Sequence, residues 1–282
     1  MNRPYNTAKS IIRGILRLEP SKETIPVLTW RPKVGINFGD QLSAVVVNRL
    51  LQQRLNNPDY AVDAVTSKYR SGRRLLAIGS ILHNARPGDV VWGAGINGRS
   101  IKEKTQFSKI DFRAVRGPLT RQLVTNFGGT CPEIYGDPAL LIPGLFPELV
   151  EARKSSQAKG AIFIPNLRDE QTRLIGAVPE GIKIVTPNQD WKCIANEIIA
   201  AERVFASSLH GIILADAFGV PCVPVRSTGE SPFKYIDYLL WMGSDADIPF
   251  LSLAKASDLE PLKSVTYDSK ALEVAFPLEL FI

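Results

Sequence analysis

Arg203–Val225, RVFASSLHGIILADAFGVPCVPV, is the stretch that decides the fold. It opens on RVFA, whose valine and phenylalanine suit a strand. Ser207-Ser208 breaks that run, and Leu209–Phe218 then continues almost wholly apolar, the pattern of a buried helix. Gly219 stands at the helix stop with Pro221 just beyond it, and Val223–Val225 is the next strand. Strand, helix and strand in so short a span form a βαβ unit, which requires a parallel sheet.

The same alternation extends in both directions. Upstream, Val34–Asn37 is expected as a short strand. A helix follows through Leu42, Val45, Val46 and Leu50 to Leu55, and Asn56-Asn57-Pro58 stops it. Leu75–Ile78, Asp89–Trp92 and Phe112–Val115 are further strand candidates, and Pro118 suits the first turn of a helix over Leu119–Asn126. The polar run Pro147–Lys159 separates these elements from a second series: strands Ala161–Pro165 and Lys183–Thr186, then helix Trp191–Ala201. The expected architecture is α/β, two Rossmann-like doubly wound domains facing a cleft. Its expected divisions are a basic N-terminal extension over 1–33, a first domain over 34–147, a linker over 148–159 and a second domain with a C-terminal tail over 160–282.

Composition narrows the functional classes. With 282 residues, 45% of them hydrophobic, the chain can bury a sizeable core, which excludes disorder as the whole answer. Three cysteines (Cys131, Cys193, Cys222) and two histidines (His83, His210) are too few and too scattered for a disulfide framework or a His/Cys metal cage, so no metal and no cofactor is expected. No apolar run approaches the roughly 18–20 residues that span a bilayer. The formal charge is +6, and residues 1–35 hold seven basic and two acidic side chains, which is +5 of it. The short basic stretch Lys9–Leu18 reads as a surface helix or as a contact with anionic lipid. Residues 66–121 carry twelve basic and three acidic side chains, whereas 122–282 carry thirteen basic and twenty acidic. That dipole suits an anionic partner, but without interleaved aromatic residues it does not suit a single-stranded nucleic acid.

Four features carry chemistry. Gly93–Gly98 spells GxGxxG after a strand, yet the following Arg99–Lys109 lacks the apolar stripe of a dinucleotide-binding helix, so a tight turn is the simpler reading. Asn37-Phe38-Gly39-Asp40 opens a helix at a strand end. Asp40 there is either an N-cap or a carboxylate facing a ligand, able to hold sugar hydroxyls or take a proton from one. Ser207-Ser208-Leu209-His210-Gly211 opens the apolar helix, where free N–H groups attract an anion and a first-turn imidazole can donate to it or deliver a proton. Arg116, Arg168 and Lys234 each flank a strand-like run at a polar turn.

NFGDQL (Asn37–Leu42), GSILHNARPGDVVWGAGI (Gly79–Ile96), RAVRGPLT (Arg113–Thr120), YGDPALL (Tyr135–Leu141), SSLHGIILADAFGVP (Ser207–Pro221) and FKYIDY (Phe233–Tyr238) occur in this order. Together they resemble the polysaccharide pyruvyl transferase family, in particular its bacterial exopolysaccharide branch, over about residues 34 to 240. The resemblance implies a fold similar to GT-B glycosyltransferases, with the C-terminal segment crossing back to the first domain. It implies phosphoenolpyruvate as donor, a sugar diol as acceptor and a cyclic pyruvate ketal as product, with phosphate released. On this resemblance His210 and Asp40 are expected as the catalytic pair. Ser208, His210, Arg168, Lys234 and Arg116 are expected around the donor, and Asn37, Asp40 and Gly95 around the acceptor. A lipid-linked oligosaccharide or polysaccharide acceptor, no nucleic acid, and a cytoplasmic protein touching the anionic inner face of the membrane complete the expectation. A nucleotide-sugar glycosyltransferase of the same architecture and a non-catalytic polysaccharide-binding or assembly protein are the alternatives.

Overall fold

The computed structural model describes residues 25–98, 106–244, 251–261 and 267–282. Among the described residues, nine short strands form two sheets. β1 (Val27–Leu28), β2 (Ala64–Val65), β3 (Leu75–Leu76), β4 (Val90–Trp92) and β5 (Asp111–Ala114) make the first, in the order β2-β1-β3-β4-β5. β6 (Ala161–Ile164), β7 (Ile182–Ile184), β8 (Arg203–Ala206) and β9 (Cys222–Pro224) make the second, in the order β7-β6-β8-β9. Every strand pair is parallel. Both sheets therefore run outward in opposite directions from their first strand, and each has a topological switch point beside it: β1/β3 in the first, β6/β8 in the second. Ligands of open α/β sheets bind outside the carboxyl ends of the strands at that place.

A parallel sheet is covered on both faces, so its strands are apolar on both sides. Successive residues alternate between two cores as the pleat requires. Val27, Leu75, Val90 and Trp92 point one way, into a cluster that also takes in Ile162, Ile164, Val204 and Ala206 of the second sheet. Leu28, Leu76, Val91 and Phe112 point the other way into a second cluster. Phe163, Phe205 and Val223 cover the far face of the second sheet in a third. The two sheets thus share one apolar interior rather than hanging on a tether. Helix α1 (Phe38–Arg54) is its centrepiece, burying Leu42, Val46, Val47, Leu50 and Leu51.

Three sequence expectations need correction. Val34–Asn37 is not a strand; the first strand is Val27–Leu28, which lies inside the segment assigned to an extension over 1–33. Residues 25–33 therefore belong to the fold, and β1 occupies the switch point of the first sheet. The apolar signal there is only two fully buried residues long, too short for period-2 alternation to show. β2 carries still less signal, being two residues long with Ala64 exposed. The stretch read as a linker is largely helical, over Pro147–Ser155, with Leu149 buried in the shared core. Lys9–Leu18 and Arg99–Thr105 fall outside the described residues. Among those described, no helix is long and apolar enough to cross a membrane.

The chain after the second sheet returns to the first. Helix Phe233–Trp241 brings Asp237 against Arg116, and Trp92 Nε1 donates to the Leu272 carbonyl at 2.7 Å. Phe276 packs edge-on to Trp92 at 4.9 Å between ring centroids. The Arg116–Asp237 pair is buried and well satisfied. Arg116 gives Nε at 3.1 Å and Nη2 at 2.9 Å to Asp237, and Asp237 also accepts from the Thr120 N–H at 2.8 Å and its hydroxyl at 2.7 Å. Removing one partner of such a pair leaves an uncompensated buried charge. Asp237→Ala is expected to lower unfolding stability by about 3–5 kcal/mol. Glu279→Gln, which breaks the largely exposed Arg113–Glu279 pair, should cost under about 1 kcal/mol. Urea denaturation of the two variants checks the contrast, and equal losses would refute it.

Candidate active site

Asp40 is the third residue of α1, so the helix begins ahead of it and Asn37 holds the N-cap position. The carboxylate is not the cap; it accepts a close hydrogen bond from Asn37 Nδ2 instead. Its neighbour across the sheet is Gly79, after β3, where a Cβ would stand 3.3 Å from Oδ1. Asp40 therefore occupies the β1/β3 switch point. Burial raises its pKa from 3.8 to about 6, against the lowering pull of His210, the Asn37 amide and Lys234. A carboxylate near 6 is poised to take a proton close to neutral pH.

His210 is the second residue of helix Leu209–Ala217, which follows β8, and so occupies the second sheet's switch point. Its buried ring reaches into the first half of the chain. A Cβ on Gly39 would collide with Nδ1, so glycine is the residue that admits the ring. Phe38 meets it edge-on at 6.5 Å. On the other side, His210 Nε2 lies 3.6 Å from Asp137 Oδ2. Both atoms are buried without a hydrogen-bond partner among the described residues, so a small approach would satisfy both. Asp137 Oδ1 accepts from the Ala139 N–H at 3.0 Å, which fixes the carboxylate at the start of the turn Pro138–Leu141.

Lys234, second in helix Phe233–Trp241, is buried with Nζ 3.5 Å from Glu230 Oε2 and 5.1 Å from the Tyr235 ring centroid. Burial, with some help from the Arg116 charge, holds its ammonium below the usual lysine range, while Glu230 and Asp40 pull it up. The structure thus brings Asn37, Asp40, His210 and Lys234 together. Ser208 is the buried N-cap residue of the His210 helix. Arg116 is committed to protein: besides Asp237 it donates to the Ser80 hydroxyl at 2.9 Å and the Ile96 carbonyl at 2.6 Å. Gly95 is the glycine against which that guanidinium lies, so its missing side chain makes room for Arg116. Arg168 is exposed in the short helix Leu167–Gln171 that follows β6, against Gly229. The loop at Thr228-Gly229 is pinned there by Asp169, whose Oδ1 accepts from the Gly229 N–H at 2.7 Å and the Thr228 hydroxyl at 3.0 Å. Sequence reasoning missed Asp137. Its signal was present in Gly136-Asp137-Pro138, where an aspartate precedes a proline that starts a turn.

Fold and site together define an α/β protein that brings a carboxylate, an imidazole and an ammonium together where the switch points of two parallel sheets meet. The chain belongs to the polysaccharide pyruvyl transferase family, whose model matches residues 37–228. It is 32% identical over 177 residues to the succinoglycan biosynthesis protein ExoV of Rhizobium meliloti (strain 1021), covering 60% of this chain and 54% of that protein. It is 24% identical over 221 residues to the uncharacterized protein L143 of Acanthamoeba polyphaga mimivirus, covering 75% and 73% respectively. The chain thus spans about half the length of the first of these relatives. No solved structure matches.

The raised pKa of Asp40 has a stability consequence with a definite sign. The folded state holds this proton more tightly than the unfolded one, so its contribution is complete below 3.8 and is lost as pH rises through about 6. Asp40→Asn, neutral throughout, should therefore gain about 2 kcal/mol relative to the parent chain between pH 4 and pH 7. Thermal melts across that range measure it, and a difference that stays flat or shrinks would contradict the assignment.

Proposed function

We propose that the protein transfers the pyruvyl group of phosphoenolpyruvate onto a sugar diol of an exopolysaccharide repeat unit, forming a cyclic ketal and releasing phosphate. The observation that carries this reading is the meeting of Asp40 and His210 at the two switch points, with Lys234 beside them. Family membership and similarity to a succinoglycan biosynthesis protein support it. The two-sheet layout with a returning C-terminal segment supports a GT-B-like arrangement.

Donor and acceptor approach from different sides. The compact trianion is held at the N-terminus of the His210 helix by Ser208, the Lys234 ammonium and Arg168, where helix N–H groups favour phosphate. Arg116 acts from behind Lys234 through its charge, and Gly95 serves by seating it. His210, steadied by Asp137, gives a proton to the donor's methylene carbon, which becomes a methyl group and leaves C2 electrophilic. One sugar hydroxyl, oriented by Asn37, adds to C2 as Asp40 takes its proton. The C2–O bond to phosphate then breaks, and the departing phosphate carries that bond's electron pair. The second hydroxyl closes the ring at C2 and loses its proton. Of the two hydroxyl protons, one balances the new C–H bond and the other leaves on phosphate. The acceptor in this reading is lipid-linked and is met at the inner face of the cytoplasmic membrane.

Incubation with phosphoenolpyruvate and lipid-linked oligosaccharides should release phosphate only when acceptor is present. Asp40→Asn and His210→Ala should each lower kcat by about 10²–10⁴-fold. The parent chain's turnover should fall as pH drops through about 6, because protonated Asp40 cannot accept a proton. Near-normal turnover of His210→Ala, or consumption of a nucleotide sugar in place of phosphoenolpyruvate, would refute the proposal.

A further inference from the structure

A cavity of about 520 Å³ opens beside Asp40, between the loop that leaves β1 and the start of helix Trp191–Ala200. Thr29, Trp30, Arg31, Asn37, Asp40 and Gln41 line it, with Trp191 opposite. Its walls are tied together across the two halves of the chain. The Ile36 N–H donates to Asn188 Oδ1 at 2.8 Å, the Phe38 N–H to the Pro187 carbonyl at 3.2 Å and the Trp191 N–H to Gln41 Oε1 at 3.1 Å. Gly35 adopts φ +75°, and the Asn188 side chain fills the space where its Cβ would be. The loop is therefore a built wall rather than a loose connection.

Trp30 stands out on this wall. Trp92 and Trp191 are buried, whereas Trp30 is 44% exposed. An exposed indole lining a cavity offers a large, rigid apolar face on which a ligand can pack. The polar groups that line the cavity with it are amides, a hydroxyl, two carboxylates (Asp40 and Asp190) and one guanidinium, a set that suits neutral hydroxyls better than a phosphorylated ligand. The Gln41 amide nitrogen has no hydrogen-bond partner among the described residues and can donate to such a ligand. A flat aromatic face beside dispersed hydrogen-bonding groups is complementary to a pyranose ring, apolar along its C–H face and polar around its rim. The cavity is also larger than one hexose needs.

We infer that this cavity is an oligosaccharide subsite in which Trp30 stacks on the sugar next to the one that carries the reacting diol, so that the protein recognises a glycan rather than a single hexose. The inference rests on the pyruvyl-transfer reading for its orientation, with Asp40 at the reacting end. The cavity itself can be tested without turnover.

Oligosaccharides released from succinoglycan by mild acid serve as probes, with methyl β-glucoside and methyl β-galactoside as one-ring controls. Titration of the full chain, followed by tryptophan emission and by calorimetry, should show oligosaccharide binding at least tenfold tighter than that of either control. Trp30→Ala should weaken oligosaccharide binding at least tenfold and remove most of the emission change, while Trp30→Phe retains most of the affinity. In the turnover assay Trp30→Ala should raise the acceptor KM at least tenfold and move the donor KM less than twofold. Equal affinity of Trp30→Ala and the parent chain for the oligosaccharides, equal affinity for one ring and several, or no binding at all would each overturn the inference. Loss of pyruvyl transfer with Trp30-dependent binding intact would overturn only the reaction; turnover with an unchanged acceptor KM in Trp30→Ala would overturn only the subsite.

Discussion

The His210 ring lies in the space that Gly39 leaves open, and the relation between the two halves of the chain depends on that contact. Neither sheet alone supplies both the Asp40 carboxylate and the His210 imidazole. The carboxylate follows β1 and the imidazole follows β8, and they meet only because a helix of the first half is bare where a side chain of the second half must enter. Alanine at position 39 would suit a helix better than glycine by about 1 kcal/mol, so the glycine is a sacrifice of local propensity to a long-range contact. Asp137 closes the other side of the ring from a turn at the end of the first sheet. The histidine is thus held by first-half residues on both flanks, and the shared apolar interior below makes that grip rigid.

Charges in the cleft follow from the same closeness. Asp40 is pushed up and Lys234 down, each mainly by burial, which disfavours the charged form of both. Arg116 cannot neutralise itself in this way, and the fold gives it Asp237, Ser80 and the Ile96 carbonyl instead. One cation is locked into structure and another remains adjustable beside the carboxylate.

What could be read from the sequence follows the length of the physical signal. The second sheet and its βαβ unit were legible because Ile162–Ile164, Val204–Ala206 and Leu209–Ala215 form long, nearly unbroken apolar runs. β1 was not, because Val27-Leu28 sits between Pro26 and a polar loop, and both strands it pairs with lie more than 30 residues further along the chain. The placement of Asp40, His210 and Lys234 in one cleft was legible through motif order. The partner of Arg116 was not, because Asp237 looks like any other polar position on an amphipathic helix until α1's sheet and the returning chain are assembled. Trp30 was silent for a related reason: one tryptophan after two strand residues carries no period.

The order of the six motifs has a topological cause. In an open parallel sheet every strand delivers the chain to the same edge, so residues that must converge on one site recur once per strand, just past its carboxyl end. Asp40 follows β1, Gly79 and Ser80 follow β3, Gly95 follows β4, Arg116 follows β5 and His210 follows β8. Their spacing along the chain is therefore set by the helices and loops that carry each strand back to its start, and not by the chemistry. The chemistry constrains only identity: a residue that bears a charge, or a glycine that lets one through. Six short motifs separated by variable segments are what such a site must look like in one dimension, which is why each is weak alone and the set specifies an architecture.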